Sequence, residues 1–166
     1  MEAPMSWLFP WFLLAHVLGA IIAFGPTFSS SIIGKMGGAE PQHANFAVRV
    51  NRELARQRIL PLAVLQGITG VGLIVTGNVD VMRAGWLLVA IVLYAIALGF
   101  AFGVQTPTAK KIIELTSTPP PPPAPGSAPS GPPAEVRALI ERAKLGGMVL
   151  AGLVAVIVFL MVVKPF

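Results

Sequence analysis

The sequence is poor in several residue types, and each shortage excludes a class of function. No cysteine is present, which excludes disulfides, thiolate metal sites and iron–sulfur clusters held by this chain. Charged residues make up only 11% of the 166 positions, against roughly a quarter in soluble domains, while 55% are hydrophobic. The apolar stretches contain no phosphate-binding loop, nucleophile triad, acid–base pair or ring of charge. The composition therefore argues against a hydrolase, a kinase, an ion pump or a channel, and indicates a small integral membrane protein.

Four stretches are apolar and long enough to cross a bilayer, whose hydrocarbon of about 30 Å requires about 20 helical residues. They are Trp7–Phe28, Ile59–Thr76, Trp86–Val104 and Leu145–Val163. We therefore predict an all-α membrane protein, in which residues 1–166 form a single four-transmembrane-helix bundle. The N-terminal segment lacks the basic region of a signal peptide, so we expect the first span to be retained.

The basic residues predict an orientation for this bundle. Ten of the 12 lysines and arginines lie between spans one and two or between spans three and four. Because positively charged loops stay on the cytoplasmic side, both segments should be cytoplasmic and both termini outside, in a bacterial inner (cytoplasmic) membrane. Trp7, Trp11 and Trp86 then lie at the outer headgroup level. The net charge of +5 is expected to meet anionic lipid, and we predict no nucleic-acid binding.

His16 is a histidine inside a predicted span, which is a costly position and a functional-site hypothesis. Its helical neighbours Gly19, Ala20 and Ala23 predict a shallow groove beside the imidazole. Two interpretations stay open. His16 is a ligand or hydrogen-bond partner for a haem, a porphyrin or a quinone, or it is a neutral histidine that bonds to a carbonyl or hydroxyl across a helix interface.

Small residues in the spans predict close helix packing, because membrane helices approach one another where side chains are small. In span two these are Gly67, Gly70 and Gly72, and in span four they are Gly147, Ala151 and Ala155. A glycine-rich stretch at Gly34–Gln42 is expected to break the chain after span one.

Two segments between the spans have distinctive compositions. A basic helix from about Ala44 places Arg49, Arg52 and Arg56 on one face, for contact with anionic lipid or with an anionic ligand or partner. The segment Pro119–Pro133 contains nine prolines in fifteen residues and predicts a cytoplasmic polyproline II tether. It serves as a spacer or as a PxxP ligand.

Three segments together resemble a known family: WFLLAHVLGA around His16, then RQRILPLAVLQGITGVGLIV, then the closing VVKPF. They are similar to the HemJ-type protoporphyrinogen oxidases and to the wider group of copper-resistance-D-like and uncharacterised four-span membrane proteins. The resemblance implies that His16, Arg58 and Lys164 bind haem b or a porphyrin, with His16 as the metal ligand. It also matches Pro61 and Gly70. The family's third span carries a lysine and a histidine, which Trp86–Val104 lacks, so bis-histidine ligation within one chain is not available.

Two functions from different classes follow. The first is an accessory or scaffold subunit of a larger membrane complex, such as a redox complex, docked through glycine- and alanine-lined helices. The alternative is a HemJ-like protein that binds haem, porphyrin or quinone through His16. We assign no catalytic residue, and an enzyme of this type would be a protoporphyrinogen-oxidase-like oxidoreductase. The expected partners are the lipid bilayer and either another membrane protein or further copies of this chain.

Overall fold

The computed structural model describes residues 5–117 and 133–165, and all of the regular structure in these ranges is helical. Each of the four predicted spans lies inside one long helix that is apolar enough to cross a membrane. The all-α fold class is therefore confirmed. The predicted tether at Pro119–Pro133 lies, apart from Pro133, outside the described residues. The four helices are α1 (Phe9–Ala39), α2 (Ala44–Thr76), α3 (Gly85–Leu115) and α4 (Ala134–Val163).

All four helices are longer than a bilayer requires. The shortest has 30 residues, which corresponds to about 45 Å against about 30 Å of hydrocarbon. The apolar part of each helix lies toward one end of the bundle, and the excess projects at the other end. We call the projecting end the basic end (residues 29–58, 105–117 and 133–144), and the opposite end the tryptophan end (Trp7, Trp86 and Val163).

The turn between α1 and α2 is shorter than the glycine content predicted. The expected break over Gly34–Gln42 is wrong for residues up to Ala39, because α1 continues to that residue. Gly37 lies so close to α2 that an added Cβ would be 2.5 Å from the Cβ of Ala47. The glycine thus permits two helices to cross closely, and the chain reverses only over residues 40–43.

Two π turns interrupt the α-helical geometry at the basic end, at Ala55–Ile59 in α2 and at Ala101–Gln105 in α3. A proline follows each π turn by two residues, Pro61 in α2 and Pro107 in α3. Proline lacks the backbone N–H, and its ring crowds the carbonyl four residues earlier. The wider π turn accommodates this crowding, so both helices continue through the proline.

The four helices pack as two antiparallel pairs, α1 with α2 and α3 with α4. A mid-membrane hydrogen bond of 2.8 Å, from the Tyr94 hydroxyl to the carbonyl of Ala63, joins the pairs. At the basic end, the side-chain amide of Asn45 donates to the hydroxyl of Thr116 at 2.8 Å. No large side chain in the described ranges is completely buried. Most apolar side chains therefore face outward, as in helices whose surrounding solvent is lipid.

Candidate functional site: the polar cluster between α1 and α2

His16 is half-buried between α1 and α2, where its Nδ1 lies 2.8 Å from Oγ1 of Thr69. The Thr69 hydroxyl is also 3.0 Å from the carbonyl of Leu65 and 3.2 Å from that of Gln66. A hydroxyl has one proton, and these carbonyls only accept, so Oγ1 donates to the backbone and accepts from the imidazole. We therefore assign the proton to Nδ1, which leaves a lone pair on Nε2. Nε2 has no hydrogen-bond partner in residues 5–117 and 133–165.

Gln66 fills the space that was expected to be a groove beside the imidazole. Its side chain is 7% exposed, and Oε1 has no hydrogen-bond partner within the described part of the chain. A Cβ added at Gly19 would lie 2.7 Å from this oxygen, so the Gln66 side chain would have to move to accommodate it. Ala23, one turn further, is completely buried. The prediction of a shallow groove is therefore wrong in this respect, because α2 packs into it.

Glycines on α2 bring the neighbouring side chains close, as predicted for Gly67, Gly70 and Gly72. A Cβ at Gly70 would lie 3.5 Å from Cε1 of His16, and one at Gly72 would overlap the ring of Phe12. At Gly67 an added Cβ would be 2.7 Å from the hydroxyl oxygen of Tyr94. The polar cluster of His16, Gln66 and Thr69 thus lies beside close contacts that α2 makes with α1 and with α3.

Arg58 and Lys164 lie far from His16 along the bundle. Arg58 is exposed in the π turn of α2, eleven residues before Thr69, which is about 16 Å along the helix. Lys164 lies at the tryptophan end, with Nζ 5.3 Å from the ring centre of Trp86. Pro61 follows the π turn, whereas Gly70 adjoins the imidazole. No contact between described residues joins His16 to Arg58 or Lys164, and their sharing of one ligand stays a prediction.

The basic end carries more positive charge than its carboxylates neutralise. Each of its five glutamates lies within 4.0 Å of a basic side chain, in the pairs Glu40–His43, Glu53–Arg56, Glu114–Lys110, Glu135–Lys111 and Glu141–Lys144. Hydrogen bonds from Gln57 and Arg56 hold the pKa of Glu53 below its usual value. In the described ranges no carboxylate lies this close to Lys35, Arg49, Arg52, Arg58, Arg137 or Arg142. The surplus favours contact with anionic groups.

One pair of glycines, which the sequence places among the small residues around Tyr94 in span three, faces outward in the structure. Gly99 and Gly103 of α3 are both exposed, and a Cβ added at either would meet nothing within 4 Å. Their G-x-x-x-G spacing is a readable signal for helix association, but only the structure gives its outward direction. The face predicted on α4 also turns outward at Ala151 and Ala155, whereas Gly146 is the residue that packs against α3.

Comparison with known proteins assigns the chain to a family. The model of a family described as "Predicted integral membrane protein (DUF2269)" matches residues 11–165. No curated protein and no solved structure matches this sequence. Four long apolar helices agree with that description. Because the match covers nearly the whole chain, the protein belongs to the DUF2269 family of multi-pass integral membrane proteins.

Proposed function

We propose that the protein is an accessory or scaffold subunit of a larger complex in a bacterial inner membrane. In this proposal the basic end is cytoplasmic and both termini are outside, as the distribution of lysine and arginine predicts. A reporter domain fused after Phe166 should then be accessible from outside the cell membrane. A cytoplasmic reporter would reverse the orientation but would leave the exposed glycines of α3 available to a partner helix.

Polar side chains in and next to the spans support a structural role, because three of them form hydrogen bonds between helices. His16 bonds to Thr69, Tyr94 to the carbonyl of Ala63, and the side-chain amide of Gln105 to the carbonyl of Ala143 at 3.0 Å. Each of these bonds crosses from one helix to another, which is how polar groups stabilise membrane helix pairs. These side chains therefore serve first to hold the bundle together.

The observation that carries the proposal is the outward G-x-x-x-G face of α3. Glycine inside a helix costs about 1 kcal/mol relative to alanine, so two unpacked glycines need a reason. Gly99, Gly103 and Ala95, four residues earlier, are all exposed. Such a face lets the backbone of another helix approach closely. We infer that a helix of a partner membrane protein docks on it.

The test is the size of the native assembly in mild detergent extracts of the host membrane. Gly99→Leu and Gly103→Leu should convert the assembly to the free subunit, because the added side chains prevent close approach. Gly152→Leu is the matched control, since a Cβ at Gly152 also meets nothing within 4 Å but no second glycine lies four residues away. Wild-type protein that migrates as a lone subunit, or equal dissociation by the control, would contradict the proposal.

A second candidate function rests on the free nitrogen of His16 and on the resemblance to HemJ-type proteins. An imidazole whose Nδ1–H is held by another group presents Nε2 as a ligand, the usual arrangement for metal-binding histidines. In this candidate function Nε2 of His16 would hold haem iron, or would accept a hydrogen bond from a quinol, and Gln66 would have to leave the space that it fills beside the imidazole. A bound haem would supply one-electron redox chemistry, while Thr69 would hold the imidazole in the ligating tautomer.

An absorption spectrum of protein purified from its own host with added haem tests this candidate. Wild-type protein should show a Soret band, and His16→Ala should abolish it. Thr69→Val should weaken binding, because the tautomer is no longer fixed. Absence of any bound chromophore in the wild type would remove this function and leave the accessory role.

A further inference from the structure

An open groove runs between α3 and α4 where the two helices leave the membrane at the basic end. Phe100 and Val104 line it from α3. Arg142, Leu145 and Val149 line it from α4. We refer to it as the Arg142 groove. Gly146 also contributes to the lining and makes room for Gln105, so the two helices stay close beneath the groove.

The lining of the Arg142 groove changes from charged to apolar along α4. Arg142, Leu145 and Val149 are spaced three and four residues apart and so share one helix face. From Arg142 to Val149 the helix rises about 10 Å. The arginine precedes the predicted fourth span by three residues, and the two apolar side chains belong to that span. The groove therefore crosses the boundary between headgroups and hydrocarbon.

The charge at the mouth of the groove is positive. Glu141 also lines the groove, and its Oε1 lies 2.9 Å from Nζ of Lys144, so Glu141, Arg142 and Lys144 together leave one positive charge at the mouth. Within the described residues Arg142 has no carboxylate within 4.0 Å. A guanidinium presents a planar fork of donors that matches the oxygens of a phosphate. The mouth thus offers a cation suited to a phosphate at the headgroup level.

We propose that the Arg142 groove binds an anionic phospholipid, with its phosphate at Arg142 and an acyl chain along Leu145, Val149 and Val104. The charge of the mouth selects an anion, and the apolar remainder selects an amphiphile over a free phosphate. The bilayer that surrounds the groove supplies this ligand directly. The inference is independent of the docking face on α3, because Gly99 and Gly103 do not line the groove.

Native mass spectrometry of the full-length protein in detergent tests the headgroup preference. Phosphatidylglycerol and phosphatidylcholine with identical acyl chains are added in turn, and the fraction of protein that retains a lipid is measured. We expect about fivefold stronger retention of phosphatidylglycerol, the effect of one arginine at an anionic surface. Arg142→Gln should remove this preference. Arg137→Gln is the matched control, because Arg137 lies on the same helix but not in the groove, and it should leave the preference unchanged.

A second variant tests the acyl-chain part of the groove. Val149 is 51% exposed, so Val149→Trp should fill the groove without disturbing the core and should lower retention of both lipids. Val158→Trp, at an equally exposed position outside the groove, is the control. The proposal is overturned if Arg142→Gln keeps the headgroup preference. It is also overturned if inorganic phosphate alone binds as well as the lipid, or if the mass added is that of a second chain.

Discussion

The two helix pairs are held together by different means. In the α1–α2 pair, polar and aromatic contacts lie within the predicted spans: His16 bonds to Thr69, and Phe12 packs on Gly72. In the α3–α4 pair, the buried residues within the predicted spans are apolar or glycine and include Leu87, Ala90, Ala97 and Leu160. The polar contacts of this second pair lie toward its ends, at Gln105 near the basic end and at Lys164 near the tryptophan end.

This difference indicates which pair is the rigid unit. Lipid tails are as apolar as leucine, so packing and hydrogen bonds hold membrane helices together, and the hydrophobic effect contributes little. A bond in mid-membrane has no water to compete with it, whereas contacts at the ends compete with headgroups and water. We therefore expect α1–α2 to be the more stable pair, and α3–α4 to be the pair that admits a lipid or a partner helix.

The largest loss of stability should come from adding a side chain at Gly72, where α1 and α2 are in contact. In Gly72→Leu the new side chain overlaps the ring of Phe12, and we expect a loss of about 3 kcal/mol, at the upper end for overpacked cores. Unfolding by a denaturing detergent, followed by circular dichroism, measures the loss. Gly152→Leu in the second pair is the control and should change stability little. Equal losses of stability in Gly72→Leu and Gly152→Leu would contradict the prediction that close packing at glycine matters more in the α1–α2 pair.

The His16–Thr69 bond should contribute less, on the order of 1 kcal/mol, the scale of interhelical hydrogen bonds in membranes. A double-mutant cycle measures the energy of this hydrogen bond from three variants: His16→Ala, Thr69→Val and the combination of both. Because each single change already breaks the bond, the two losses should not add. Additive losses in the same unfolding assay would show that His16 and Thr69 act separately.

The hydrogen bond between Tyr94 and Ala63, which joins the two helix pairs, should contribute still less to the free energy of unfolding. Tyr94→Phe removes the 2.8 Å contact with the carbonyl of Ala63, and we expect a loss of about 0.6 kcal/mol, the average for such bonds in membranes. Gly67→Ala places a methyl group against the same hydroxyl and should destabilise the wild type more than it does Tyr94→Phe. If Gly67→Ala costs the same in both backgrounds, the hydroxyl is not what requires glycine at this position.

The smallest effect should lie at the basic end of the second pair. Nζ of Lys111 lies 2.7 Å from Oε1 of Glu135, but the two side chains remain 54% and 58% exposed. Exposed ion pairs contribute about 0.2–1 kcal/mol and are screened by salt. Lys111→Gln should therefore lower stability by less than Tyr94→Phe does in low salt, and not at all in 1 M salt. A loss that persists in high salt would indicate that this contact does more than pair charges.

The spans and the fold class could be predicted from the sequence because apolar length is a local property. Twenty consecutive apolar residues predict a membrane helix regardless of what packs on it. The extension of α1 through Gly34 and Gly37 could not be predicted in this way, since it depends on the approach of Ala47 from another helix. Local glycine content pointed to a break, and a tertiary contact overrode it.

The candidate site was predictable in its central residue and not in its surroundings. His16 stands out because ionisable groups are rare inside spans. That its partner is Thr69, and that Gln66 fills the space beside it, depends on the register of α1 against α2, which no single-helix pattern encodes. The outward orientation of Gly99 and Gly103 could not be predicted for the same reason. Their spacing can be read from the sequence, but which face of α3 stays exposed depends on how all four helices pack.

Each π turn contains one residue more than an α-helical turn, and this extra residue is accommodated within the turn itself. Across Ala55–Ile59, one residue corresponds to a rotation of about 100° around the helix axis. Deletion of one residue from this π turn would therefore restore regular α-helical geometry without that rotation, and would leave Arg49 and Arg52 and the contacts of His16 and Gly72 at their present positions around the axis. The π turn thus absorbs a change of one residue in length, and the projecting part and the membrane part of α2 each keep their own angular position around the helix axis.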